Sequence, residues 1–194
     1  MKILIVHNRY SNSSVSGENI VFDKEFKLLK GELGNDNVFE YHVSNDTSNL
    51  LVLLFNMFFS LRHYFSIKKL VSEKNIDIVH VHNFFPLLSP SIFFAAKVSK
   101  AKTVHTLHNY RLWCSSGLFY RNSYGICELC VGKKFSVWSI WYRCYRDSFL
   151  QSFIVELVFF LYNKLDVFRF IDSFFVLTEF QYNKVLELGV DPKR

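Results

Sequence analysis

The sequence predicts an α/β domain: an open, parallel sheet with helices on both faces. Three observations support this. Short apolar runs alternate with longer amphipathic ones along the chain, the pattern of strands joined by crossover helices. The apolar runs are nearly continuous rather than alternating, as expected of strands covered on both sides. Polar residues, several of them histidines, gather just after these runs, where open α/β sheets bind ligands. At 194 residues, half of them hydrophobic, the chain can bury one substantial core.

Taken in order, KILIVH (2–7) reads as a buried strand. The polar loop NRYSNSSVSG follows, then a helix from about Glu18 to Leu33, with Glu18 and Asp23 in its opening turns to suit the positive end of the helix dipole. NVFEYHV (37–43) is a second strand. Residues 48–74 form one long helix or two short ones, apolar around most of the circumference, with Asn56, Ser60 and His63 as a thin polar stripe. Such a helix is either buried in the core or faces lipid. IDIVHVH (76–82) is a strand, PSIFFAAKVSK (90–100) a helix and KTVHTLH (102–108) a strand. After a Cys-containing insertion come a helix near 147–165, the strand DSFFVLT (172–178) and a helix from about Glu179 to Leu188. The sheet is thus Rossmann-like, with the insertion at about 110–146.

Charge and cysteine usage narrow the function classes. The net charge of +6 is concentrated between Arg111 and Arg146, where Arg111, Arg121, Lys133, Lys134, Arg143 and Arg146 face Glu128 alone. All three Trp, Trp113, Trp138 and Trp141, fall in the same segment. Basic residues interleaved with Trp and Tyr suit an anionic interface such as lipid headgroups, a phosphorylated glycan or nucleic acid. A solvated, partly packed surface insertion has the same composition, and charge alone leaves both readings open. No export signal is visible, because His7, Asn8 and Arg9 end the first apolar run too early. The run at 50–61 stops at Arg62 and is too short to span a bilayer. The four cysteines are therefore expected in a reducing cytoplasm, without disulfides.

The strand ends hold the candidate chemistry. The first strand ends in His7-Asn8-Arg9, the third in His82-Asn83, the fourth in His108-Asn109-Tyr110-Arg111 and the last in Thr178-Glu179. Side chains alternate along a strand, so His105 and His108 point to opposite faces and do not share an ion. His105 is assigned to packing. His80 shares a face with His82 but lies one pleat deeper, and is read as a core histidine. Cys114, six residues beyond His108, does not resemble a nucleophile–base pair. Cys114, Cys127, Cys130 and Cys144 could close a structural zinc site around the CELC knuckle, or pack as independent thiols. CELC does not open a helix directly after a strand, which argues against a thioredoxin-like role. A G-x-G-x-x-G fingerprint is absent, which counts against NAD or FAD.

The blocks KILIVHNRY…SGENIVF, DIVHVHNFFPLLSPS, TVHTLHNYRLWC, CELC, RCYRDS and VLTEFQ resemble, in order and over essentially the whole chain, the bacterial family-4 glycosyltransferases of GT-B fold. They are similar to the retaining enzymes that build capsular and other surface glycans. The resemblance implies an N-terminal acceptor-binding half of a GT-B enzyme. The C-terminal nucleotide-sugar domain is absent from residues 1–194, as in a truncated chain or a split enzyme with a partner subunit, and this half alone should not turn over. It further implies His108 at the reacting centre, Ser16, Gly17 and Glu18 near the donor diphosphate, and His82, Asn83, Asn109 and Thr178 on the acceptor side. Ser16 stands where many members have a first glycine. The implied substrates are a nucleotide sugar and a glycan or lipid-linked acceptor, with no organic cofactor and no nucleic acid. The greasy 50–61 helix and the basic insertion then read as peripheral attachment to an anionic membrane, at the inner face of the plasma membrane. A non-catalytic, membrane-recruiting subunit that docks a separate donor-binding chain is the alternative. A zinc-stabilised nucleic-acid module fits poorly, because the basic residues interrupt a sheet instead of lining a recognition helix.

Overall fold

The computed structural model describes residues 1–10, 16–44, 50–122 and 124–194. The centre of the loop expected after the first strand (11–15) and the expected start of the long helix (48–49) lie outside them. The expected α/β class is observed as a five-stranded open sheet, β1 (Ile3–Arg9), β2 (Val38–Ser44), β3 (Ile78–Asn83), β4 (Lys102–Leu107) and β7 (Ser173–Val176), in the order β2-β1-β3-β4-β7. A two-residue hairpin pairs β5 (Tyr120–Arg121) with β6 (Gly125–Ile126). The helices are α1 (Gly17–Leu33), α2 (Leu50–Phe58), α3 (Leu61–Lys74), α4 (Ser91–Val98), α5 (Val137–Trp141), α6 (Phe149–Lys164) and α7 (Glu179–Glu187).

Residues 1–108 with 169–175 form one compact unit, and residues 109–168 with 176–194 a second. In the first unit the apolar runs become the middle of the sheet. Leu4, Ile5, Val6, Val79 and Val81 are fully buried, and β1 pairs in parallel with both β2 and β3. Helix α1 lays Phe22 on Ile3, Ile5 and Val38, with Phe26, Leu29 and Leu33 at the margin. These positions recur every three or four residues, the spacing of one helix face. The helix ends at Gly34, whose φ of +87° and ψ of 151° suit glycine almost alone, and whose N–H donates to the Lys30 carbonyl. Helix α4 buries Ile92, Phe93, Ala95 and Ala96, and Phe93 meets His105 of β4.

The apolar stretch after β2 forms two helices, the second of the two expected arrangements. At the break, the Ser60 N–H donates to Ser89 Oγ at 3.0 Å, and Ser91 Oγ bonds the Ser60 carbonyl at 3.1 Å. Of the expected polar stripe, Ser60 and His63 are buried, whereas Phe55, Leu61 and Phe65 face solvent. Beyond the expected parallel register, β3 carries one extra residue. Val6 pairs with Val81, but His7 pairs with Asn83, leaving a bulge at His82. Bulges of this kind commonly re-aim a side chain beside a functional site.

In the second unit, Glu156 of α6 is the buried organiser. It accepts hydrogen bonds from Ser115 Oγ at 2.7 Å, the Ser136 N–H at 2.6 Å and Ser139 Oγ at 2.7 Å. A buried carboxylate is tolerated because each oxygen is so satisfied.

Candidate functional site

In an open parallel sheet the ligand crevice lies beyond the carboxyl ends of the strands, where successive connections leave in opposite directions. Here the chain steps outward to β2 on one side of β1 and to β3 on the other, so the crevice is expected at the β1 and β3 tips. Both tips are polar and nearly sealed. His7, Asn8, His80 and His82 are buried, and His108 follows the end of β4 half-exposed.

The histidines stack into one cluster. The rings of His82 and His108 are parallel within 25° at 5.3 Å, and His82 Nδ1 lies 3.1 Å from His108 Nε2, so one donates to the other. His7 stacks on Phe22 at 5.0 Å and donates from Nε2 to Asn19 Oδ1 at 2.8 Å. Burial lowers the pKa of His7 to about 4, with Asn19 opposing and the charges of His82 and Arg9 assisting. His108 is also lowered to about 4, chiefly by burial and then by the charge of His82. Both rings are therefore neutral near pH 7, each holding one N–H and one lone pair. On the opposite face, His105 donates from Nδ1 to the Val81 carbonyl at 2.8 Å, and burial lowers its pKa to about 3. Strand alternation thus separates the two histidines as expected, His105 among Phe84 and Phe93 and His108 against His82.

The asparagines at the tips hold the loop after β3. Asn8 Oδ1 accepts from the Leu87 N–H and Asn83 Oδ1 from the Phe85 N–H, both at 3.0 Å. Asn83 Nδ2 donates to the Asn8 carbonyl at 3.3 Å and to Glu18 Oε2 at 3.4 Å. Asn83 therefore ties together the first and third strand ends and the start of α1. Its side chain is already engaged, so any acceptor contact from it competes with this brace.

Ser16, Gly17 and Glu18 open α1. Ser16 is the N-cap, with extended backbone and no side-chain capping bond. A Cβ placed on Gly17 would meet nothing within 4 Å among the described residues. The first N–H groups of a helix suit a phosphate. The Glu18 carboxylate does not, and its oxygen is directed to Asn83.

The remaining sequence candidates belong to the second unit. Asn109 Oδ1 accepts from the Arg111 N–H at 3.0 Å. Thr178 caps α7, its Oγ1 accepting from the Gln181 N–H at 3.1 Å while Gln181 Oε1 accepts from the Leu177 N–H at 2.8 Å. The four cysteines are all free thiols. Burial raises the thiol pKa of Cys130, and it raises that of Cys144 to about 11, the other three sulfurs adding to the effect. Among the described residues, one group of three or more His, Cys, Asp or Glu donors has all its ligand atoms within 4.8 Å of one another. It is Glu25, His80 and His82, not the cysteines.

Sequence reasoning missed Glu25 and Asn19. Both project from α1 toward the strand tips, and the signal was its spacing. Glu18, Phe22 and Glu25 recur at intervals of four and three, one helix face, the same face that Phe22 lays on the sheet.

The fold is that of a Rossmann-like α/β domain, consistent with the N-terminal half of a GT-B enzyme, with histidines at the carboxyl edge of its sheet. The sequence model described as Glycosyltransferase Family 4 matches residues 29–194. The chain belongs to glycosyltransferase family 4. No curated protein and no solved structure matches it.

Proposed function

We propose that the chain is the acceptor-binding half of a retaining glycosyltransferase, which moves a sugar from a nucleotide-sugar donor to a lipid-linked glycan. The observation that carries this reading is the contact of His82, at the end of β3, with His108, just past β4, in a chain of this family. In the proposed step the acceptor oxygen bonds to the anomeric carbon as the carbon–oxygen bond to the diphosphate breaks. The acceptor hydroxyl proton passes to the leaving phosphate oxygen. His108 holds the sugar or the acceptor hydroxyl by a hydrogen bond, so its part is orientation and charge stabilisation. The N–H groups from Ser16 to Glu18 face the diphosphate, and Asn109 and Thr178 are assigned to the acceptor. The donor is bound by a second domain or a partner subunit. A separate part of the reading gives Cys114, Cys127, Cys130 and Cys144 a structural zinc.

The test uses the complete enzyme with its nucleotide sugar and a membrane-extracted acceptor, followed by mass spectrometry. Replacing His108 with Ala is expected to lower kcat about 100-fold. Near wild-type turnover in that variant would overturn the assignment.

The reading places the enzyme at the inner face of the plasma membrane. No helix among the described residues is long and apolar enough to cross a membrane. Attachment therefore falls to surface groups, for which Phe55 of α2 and Trp141 of α5, 76% and 73% exposed, are suited. The same exposed groups favour a second reading, a non-catalytic subunit that recruits a donor-binding chain to the membrane. Transfer activity that requires adding that separate chain, and survives His108→Ala, would select it.

A further inference from the structure

We propose that Glu25, His80 and His82 form a binding site for one divalent transition ion of the zinc class, set under the histidine cluster at the β3 tip. The donors are one carboxylate oxygen and two imidazole nitrogens, whose ligand atoms all lie within 4.8 Å of one another. His80 Nδ1 is 2.9 Å from Glu25 Oε1, and His82 Nε2 is 3.4 Å from Glu25 Oε2. Ligands of a tetrahedral ion with bonds of about 2.0–2.1 Å stand roughly 3.3 Å apart, so His82 Nε2 and Glu25 Oε2 are already at ligand spacing, while His80 Nδ1 lies closer, against the other carboxylate oxygen.

The strongest sign is an unsatisfied atom. His82 Nε2 is buried, on a side chain with no exposed surface, and has no well-aligned hydrogen-bond partner among the described residues. Without a proton, its lone pair faces a carboxylate oxygen and is repelled. With a proton, its N–H is misdirected for that oxygen. A buried polar group left in this way is unfavourable. A cation between the two atoms resolves both conflicts.

The outer contacts fit as well. Ligand histidines usually donate their second ring N–H to a fixed partner. With His80 Nδ1 on the ion, its Nε2–H donates to Thr106 Oγ1, 2.7 Å away. With His82 Nε2 on the ion, its Nδ1–H donates to His108 Nε2 at 3.1 Å, which leaves the proton of the neutral His108 ring on Nδ1. The carboxylate is the accessible ligand: the Glu25 side chain is 27% exposed, against 6% and 0% for the two histidines. That gives an entry path and an open position for water. Two imidazoles with one carboxylate select zinc-class ions over magnesium or calcium, which prefer oxygen alone. The inference does not depend on the glycosyltransferase reading, because it concerns binding and not turnover.

The test is a cobalt(II) and zinc(II) titration of the intact chain, followed by absorption spectroscopy and metal analysis. One cobalt ion per chain is expected with nitrogen and oxygen ligands, showing weak d–d bands and no thiolate charge-transfer band. Any cobalt held by the cysteines announces itself by that band and is counted separately. Affinity for the first ion should fall at least tenfold in Glu25→Gln and in His82→Ala. Glu25 sits at the edge of the core, so Glu25→Gln carries the test if His82→Ala fails to fold. Absence of a nitrogen- and oxygen-bound ion, or equal affinity in Glu25→Gln, would leave a carboxylate–imidazole pair without metal and overturn the proposal.

Discussion

Tyr41 and His63 show how a single buried ring couples this fold to acid. The Tyr41 hydroxyl and His63 Nδ1 share a hydrogen bond at 2.7 Å, where α3 meets β2. Burial, with the charge of Arg62 assisting, lowers the His63 pKa from 6.5 to about 4. Below pH 6.5 the unfolded chain takes up a proton that the folded chain refuses until about pH 4. The stability that His63 contributes is therefore complete above pH 6.5 and is lost as pH falls through that window. In His63→Phe, urea unfolding at a series of pH values should show a slope shallower by up to about 1.4 kcal/mol per pH unit between pH 6.5 and 4. Identical slopes would show that His63 does not take part. At this scale the sequence was informative where period-2 alternation applies, as in the opposite fates of His105 and His108. It gave no partner for Glu25 or His63, whose partners lie on other elements. Those contacts depend on how each helix is rotated against the sheet, which the local pattern does not encode.

Among the elements, the strands were the most legible, because continuous apolar runs have few other ways to be buried. The long apolar segment after β2 was the least legible. Its division into α2 and α3 rests on Ser60 bonding to Ser89 and Ser91, a contact between distant parts of the sequence. The bulge at His82 is similarly invisible, since it exists only in the pairing of β1 with β3. The end of α1 offers a direct test of element chemistry. A Cβ on Gly34 would have space, its nearest neighbour being Asn37 Nδ2 at 3.9 Å, so the penalty is conformational alone. Gly34→Ala is expected to lower unfolding free energy by about 1–3 kcal/mol in chemical denaturation, with no change in the slope against denaturant. A loss under about 0.3 kcal/mol would mean that the turn relaxes freely.

For the molecule as a whole, charge and exposed aromatic groups pull in two directions. Several basic residues of the second unit already lie over rings: Arg121 is 3.8 Å from the Tyr142 centroid, and Lys133 is 5.8 Å from that of Trp138. These pairs satisfy part of the basic excess internally. Exposed Trp141 and Ile126 remain for an interface. If the chain attaches to membranes, it should bind vesicles rich in anionic lipid at low salt, and release them as ionic strength rises. Sedimentation with vesicles measures this, and no binding at low salt would remove membrane attachment from the proposed function.

The place of β7 in the sheet has a consequence for how the protein is made. Strand β4 lies between β3 and β7, yet β7 begins only at Ser173. On the ribosome, β4 can join β3 early, but its outer edge must wait, open, until the whole intervening segment has emerged. An open edge is a template for pairing with another chain. Capture of the late strand then relies on Asp172, which accepts from the Thr103 N–H at 2.9 Å, within reach of Lys97 and Lys102. Nascent chains halted before residue 172 should therefore be stickier than those halted just after β7, a hazard set by the order of synthesis that lasts until β7 covers the edge of β4.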